Sequence, residues 1–220
     1  MILETAAAPP FFKNGYVLGC ERTREAVYID PGDEVEALLA FLTAERLTLT
    51  AVLLTHAHVD HVSGLAEVRR RFRAPIWLHR DDLFLFNSAP EHARLFGLSI
   101  ETPPPPDRFY EGPGPLAFGD YDVTVHHTPG HSPGGVCLQV GRRGKVGRHL
   151  FVGDTLFQGS IGRTDLPGGD YATLMRSITG VLLPLGDDAR VFSGHGPETT
   201  IAAERKTNPF ILDWLSKGGG

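Results

Sequence analysis

Only two cysteines, Cys20 and Cys137, occur in the 220 residues. That is too few for a disulfide framework or a cysteine-based zinc site. Both stand in apolar, strand-like surroundings and read as small buried hydrophobes. A reducing cytoplasm fits this usage. No apolar run approaches the ~20 residues of a membrane span. The N-terminus lacks a basic stretch leading into an apolar one, and Glu4 comes early, so no signal peptide is expected. Basic excess is lacking too. The formal net charge is −5, opposite in sign to the footprint of a nucleic-acid-binding protein. The one basic run, Arg69-Arg70-Arg71-Phe72-Arg73, falls where a helix should end. Cations suit that pole of the helix dipole, and the run reads as a solvated helix face. Neither a nucleic acid nor a membrane is an expected partner.

What is present is a 41 % apolar chain, enough for one sizeable domain over residues 1–220. Tyr16–Leu18 and Ala26–Ile29 read as strands, the second stopped by the turn-forming Asp30-Pro31-Gly32. In Glu34–Ala44, Val35, Leu38, Leu39 and Leu42 recur at helical spacing. Leu49–Leu54 is nearly all apolar and reads as a strand buried on both faces. Val62, Leu65, Ala66 and Val68 stripe a second helix. Ile76–Leu78 is a strand, and Arg80–Phe96 reads as one or two short helices broken near Pro90. Pro103–Pro106 is a loop. Leu116–Phe118, Tyr121–His127, Val136–Val140 and His149–Val152 are β-rich. Tyr171–Leu183 is helical, Arg190–Phe192 a strand, and Ile201–Leu215 mostly helical. Gly218-Gly219-Gly220 is expected to be a flexible end. The pattern predicts an α/β class, with sheets packed together and helices outside.

Chemistry concentrates in Thr55-His56-Ala57-His58-Val59-Asp60-His61. Three imidazoles and a carboxylate within six residues serve no need of folding. Neutral imidazole is the commonest protein metal ligand, and a carboxylate adds a harder oxygen donor. Three further segments each end a strand-like run in a ligand-type residue beside glycine. They carry His131, Asp154 and His195. Taken alone, each has an ordinary reading: Asp60 as a helix cap, Asp154 as an Asx-turn, and His131 and His195 as loop residues. Their combination points to a dinuclear hydrolytic site. His79, His92, His126 and His127 read as ordinary polar positions.

The set resembles the metallo-β-lactamase superfamily. The Thr55–His61 motif, His131, Asp154, His195 and the flanking Asp30-Pro31-Gly32-Asp33 all match in order. The resemblance implies a four-layer αβ/βα sandwich. It assigns His56, His58 and His131 to one metal, and Asp60, His61 and His195 to a second, with Asp154 bridging. Asp60 and Asp154 are the expected catalytic carboxylates. Asp30 and Thr55 are expected to orient ligands. Two divalent ions are expected, zinc first, with iron and manganese suited to the same donors.

Within the superfamily, Gly153–Phe157, Gly159–Asp165 and Glu204–Pro209 resemble the glyoxalase II and persulfide dioxygenase branch, and most of all its short bacterial glyoxalase II-like members. That implies hydrolysis of a small thioester such as S-D-lactoylglutathione. The chain is expected to end before the C-terminal helical domain of longer relatives, and Gly196-Pro197-Glu198 replaces their tyrosine after the last histidine. Arg163 reads either as an anchor for a substrate carboxylate or as a partner of Asp165 in its own loop. The alternative activity is that of a mononuclear iron persulfide dioxygenase, which usually carries cysteine where Ile161 stands and an aromatic where Leu166 stands. A β-lactamase, usually exported and without the bridging aspartate, and a non-catalytic metal module are weaker matches.

Overall fold

A computed structural model of the chain describes residues 1–110 and 116–218. Gly219 and Gly220, the last two glycines of the expected flexible end, lie outside the described residues. The chain divides into two compact units, residues 1–110 with Ala117–Tyr121, and Leu116 with residues 122–218.

The first unit holds a six-stranded sheet whose spatial order follows the chain. Its strands are β1 (Ile2–Ala8), β2 (Lys13–Gly19), β3 (Glu25–Ile29), β4 (Thr48–Leu53), β5 (Ile76–Leu78) and β6 (Arg108–Phe109). The first three form an antiparallel meander. From β3 onward the neighbours are parallel, and parallel neighbours require crossovers. Helices α1 (Val35–Ala44), α2 (Val59–Val62), α3 (Leu65–Arg71) and α4 (Leu83–Leu95) supply them. Helix α1 buries Val35, Leu38, Leu39 and Leu42. They join Tyr28, Val52, Leu65 and Phe86 in one core. In β4, adjacent Val52 and Leu53 are both buried, so the strand is covered on both faces there, whereas Thr48 is exposed.

One expectation fails in this unit, and one strand is additional. Helix α4 does not break near Pro90 but runs through it. Leu85, Phe86, Ala89 and Ala93 bury one continuous face, and that packing outweighs the single ladder bond that proline removes. Strand β1 was not anticipated, because alanine-rich Thr5–Ala8 carries little β-propensity. It exists by pairing with β2 over seven residues. The basic run behaves as a solvated face. Arg69 pairs with Asp107 at 2.5 Å, Arg70 with Glu101 at 2.5 Å, and Arg71 with Glu36 at 2.8 Å.

The second set of strands is β7 (Leu116–Phe118), β8 (Tyr121–His127), β9 (Val136–Arg142), β10 (His149–Gly153), β11 (Leu156–Phe157), β12 (Ser160–Ile161), β13 (Arg190–Ser193) and β14 (Thr199–Thr200). Six of them form a sheet ordered β14-β13-β10-β9-β8-β7, while β11 and β12 make a separate hairpin. Its helices are α5 (Tyr171–Ser177), α6 (Ile201–Thr207) and α7 (Pro209–Ser216). The helix expected over Tyr171–Leu183 loosens after Ser177 into a wider turn and then a tighter one. Leu150, Val152, Leu174, Met175, Val191, Ile201 and Ile211 form this unit's core. Both cysteines are free and buried. Among the described residues, no helix is long and apolar enough to cross a membrane.

Candidate metal centre

Apart from His131, the ligand-type residues of each unit follow the place where two parallel strands end side by side. Loops at the carboxyl ends of parallel strands are where open α/β sheets place their chemistry. In the first unit the pair is β3 and β4. The Asp30 amide just past β3 donates to Leu53 O of β4 at 3.2 Å. Asp30 then turns through a left-handed conformation, φ 52°, which aspartate tolerates better than most residues. That turn aims its carboxylate back at the segment following β4.

The Asp30 carboxylate is buried and accepts three bonds. Thr55 N donates to Oδ1 at 2.7 Å, Thr55 Oγ1 donates to Oδ2 at 2.6 Å, and His61 Nδ1 lies 2.9 Å from Oδ2. A carboxylate only accepts, so the His61 proton sits on Nδ1 and Nε2 is the nitrogen suited to ligation. The Thr55 hydroxyl has one proton, spent on Asp30. Its oxygen, 3.1 Å from His56 Nδ1, therefore accepts from that ring, and His56 too presents Nε2. One carboxylate thus sets the tautomer of two imidazoles. The His56 ring lies 4.9 Å from His58 and 4.0 Å from His61, centroid to centroid. Between His56 and His58, the Ala57 amide donates to buried Asp82 at 3.0 Å. Helix α2 begins at Val59 with His58 at its N-cap. Asp60 therefore lies inside the first turn rather than at the cap.

In the second unit the pair is β10 and β13. Gly194 N donates to Gly153 O at 2.8 Å, which sets Asp154 and His195 beside each other. Asp154 Oδ2 lies 3.5 Å from His195 Nε2 and 3.6 Å from His131 Nε2. His131, in the β8–β9 loop, donates from Nδ1 to Arg163 O at 2.8 Å, so Nε2 is again the nitrogen suited to ligation. In the first unit, His61 Nε2 and Asp60 Oδ2 are likewise 3.6 Å apart. These separations exceed a good N–H···O bond. Two atoms each about 2.1 Å from one tetrahedral ion sit about 3.4 Å apart. Both donor sets therefore fit divalent-ion ligation, in chemistry and in spacing.

Other residues support these loops. Gly162 approaches Asp154 so closely that an added Cβ would lie 1.8 Å from Asp154 O and 3.1 Å from His131 Nδ1. Gly162→Ala should therefore displace the hairpin that backs two ligands. Metal binding should weaken roughly 10- to 100-fold, and stability should fall by about 1–3 kcal/mol. Chelator competition and thermal melting read the two effects, and unchanged metal affinity would show that the hairpin's position does not matter. Arg163 forms a bidentate pair with Asp165, 2.7 Å on both arms. The guanidinium hydrogen bond holds the Asp165 carboxyl down at about 2. Both expected roles of Arg163 stay compatible with this pair, which uses two of its five N–H donors. The segment Glu204–Pro209 acts on the same hairpin. Buried Glu204 Oε2 accepts from Gly159 N and from Asn208 Nδ2, both at 2.8 Å, and Asn208 Nδ2 also donates to Ser160 O at 3.0 Å. His126 bonds Gln139 at 2.8 Å and His127 bonds Pro133 O at 2.8 Å, ordinary polar contacts.

Comparison with known proteins agrees. The metallo-beta-lactamase superfamily model matches residues 8–195. The chain is 43% identical over 190 residues to the hydroxyacylglutathione hydrolase GloC of Haemophilus influenzae, 86% of this chain and 88% of that protein. Among solved structures, the BLEG-1 B3 metallo-beta-lactamase superposes with a TM-score of 0.86 at 42% identity, covering 96% of this chain and 99% of that one. TTHA1623 in a di-iron-bound form superposes at 0.83 and 42% identity, covering 94% and 99%. The two large sheets with their helices have the metallo-β-lactamase fold expected from the ligand motif. Motif, fold and relatives agree along most of the sequence, and the chain belongs to the metallo-β-lactamase superfamily.

Proposed function

We propose that the chain is a dinuclear metal-dependent hydrolase of a small thioester, of the glyoxalase II kind, working as one catalytic domain in the cytoplasm. His56, His58 and His131 would hold one ion, and Asp60, His61 and His195 the other, with zinc the first expectation. The observation that carries this reading is Asp154. One of its oxygens lies at ligand-to-ligand spacing from both His131 and His195, which the assignment gives to different ions. That is the placement a bridging carboxylate needs. Two divalent ions held there would supply a water with a pKa near 7, rather than about 15.7, and would stabilise charge developing on a substrate carbonyl oxygen.

The chain's own residues do the rest. Asp30 and Thr55 keep two imidazoles in the ligand tautomer, and the Arg163 carbonyl does so for His131. A leaving thiolate has a conjugate-acid pKa of about 8.5, so departure needs little protonation. No dedicated general acid is required. Arg163 would anchor a substrate carboxylate with the donors that Asp165 does not use. Arg163→Ala should raise KM roughly tenfold for an acidic thioester and hardly at all for a neutral one. Equal changes in both would discard the anchor.

The 43% identity to a hydroxyacylglutathione hydrolase supports the thioester. The 42% identity to a B3 metallo-beta-lactamase supports a second reading, in which the acyl group is a β-lactam. Metal analysis coupled to three assays separates the outcomes. Two ions with thiol release from S-lactoylglutathione is the expected result. Nitrocefin opening without thiol release selects the lactamase. One iron with oxygen uptake on glutathione persulfide overturns both in favour of a dioxygenase.

A further inference from the structure

Lys13 stands on β2, far in sequence from every ligand, yet it is 1 % exposed. A buried ammonium is costly unless it is paired and hydrogen-bonded. This one is both. It donates to the main-chain oxygen of Asp30 and lies 3.1 Å from Glu34 Oε1. That same Glu34 oxygen accepts from Tyr28 OH at 2.9 Å and from Gly32 N at 3.0 Å. Burial and the Glu34 charge push the Tyr28 phenol well up, so it stays a donor. The ion pair therefore grips the turn Asp30-Pro31-Gly32 from below, at a carbonyl and at an amide.

The upper side of the turn touches α2. Gly32 lies so close to Asp60 that an added Cβ would be 2.1 Å from Asp60 O and 2.7 Å from Lys13 Cε. Gly64 N donates to Pro31 O at 3.1 Å, and Ser63 Oγ donates to Asp33 at 3.1 Å. The Asp30 side chain reaches His61 Nδ1. The turn's contacts with Asp60, His61, Ser63 and Gly64 all fall on α2 or its exit, and α2 carries Asp60 and His61; the Asp30 side chain also holds Thr55 and, through it, His56.

We propose that Lys13 is a positioning residue for Asp60 and His61: its buried ammonium, held by Glu34, fixes the Asp30–Gly32 turn on which both ligands rest. Its effect falls most on the second ion, because the turn meets Asp60 and His61 directly and reaches His56 through Thr55. This inference rests on the dinuclear reading above.

The test is a cation titration of the full chain with cobalt(II), followed by visible absorption and by chelator competition. Lys13→Met alone would leave Glu34 buried and unpaired, so the informative variant is Lys13→Met with Glu34→Gln, which removes both charges and keeps an acceptor for Tyr28 and Gly32. The expected result is a roughly 10- to 100-fold weaker second cobalt, with the first step weakened clearly less. Two steps weakened equally, or neither weakened, in the folded double variant would overturn the proposal. So would failure of the double variant to fold, since Lys13 would then be a general stabiliser. A wild-type chain that takes up one cobalt would overturn the dinuclear reading and this inference together. Two steps in the wild type keep that reading standing whatever the variant does.

Discussion

Asp154→Ala is expected to lower kcat by at least about a thousandfold while the fold survives. Asp154 follows β10, and its neighbours Val152 and Gly153 continue to pack and pair without its carboxylate. What the variant loses is the oxygen set between His131 and His195. Losing about 4 kcal/mol of charge stabilisation in the transition state corresponds to roughly three orders of magnitude in rate. Asp154→Asn should fall between, since the amide oxygen can still ligate but brings no charge. Turnover numbers and metal content measured on the same preparations decide the matter. Wild-type turnover with two ions bound in Asp154→Ala would sink the proposed mechanism.

Asp30→Ala should act on stability as well as on metal. The carboxylate serves three buried donors, Thr55 N, Thr55 Oγ1 and His61 Nδ1. A stranded buried donor costs about 1–3 kcal/mol. The His61 ring can turn and the Thr55 hydroxyl can find another acceptor, so the sum should settle at about 3–4 kcal/mol. For a chain of this length that lowers Tm by about 10 °C. Metal affinity should fall roughly 10- to 100-fold, because neither His61 nor His56 is then held in its ligand tautomer. Thermal melts in chelator isolate the first effect, and metal titration at low temperature isolates the second. A melt within 2–3 °C of wild type, on the order expected for a surface change of under 1 kcal/mol, would show that Asp30 is not the hub described.

Much of this site was legible before any geometry. The density of histidine in Thr55–His61 announces metal chemistry, and Asp30-Pro31-Gly32 reads as a turn ending a strand. The apolar spacing in α1 and the nearly all-apolar Leu49–Leu54 place that turn and that cluster at the ends of a strand–helix–strand unit. What stayed hidden depends on contacts between residues distant in sequence. Lys13 looks like a polar residue opening a strand, and Glu34 like the first turn of a helix. Nothing local reveals that they meet under Asp30. Asp82 bonds Ala57 from 25 residues away, and the group that orients His131 is a main-chain oxygen, Arg163 O, which no side-chain pattern encodes. Pro90 misled for a related reason. Its local rule forbids a helix interior, while the face buried by Leu85, Phe86, Ala89 and Ala93 is a tertiary fact.

The ligand loop of the first unit has a consequence for motion. Leu54 N donates to Trp77 O at 3.0 Å, and Leu54 O accepts from Tyr110 OH at 3.1 Å. Thr55 N is taken by Asp30 and Ala57 N by Asp82. The backbone of this loop is thus pinned to separate parts of the unit within four residues, and every pin is buried. Loops ordinarily open locally and exchange their amide hydrogens quickly. This one cannot open without breaking bonds to strands and helices around it, so its amides should exchange with the slow core of the unit. A loop that is rigid before any ion arrives loses little further freedom on binding one. The His56–His58 segment is in that sense a preformed socket, already shaped by protein alone.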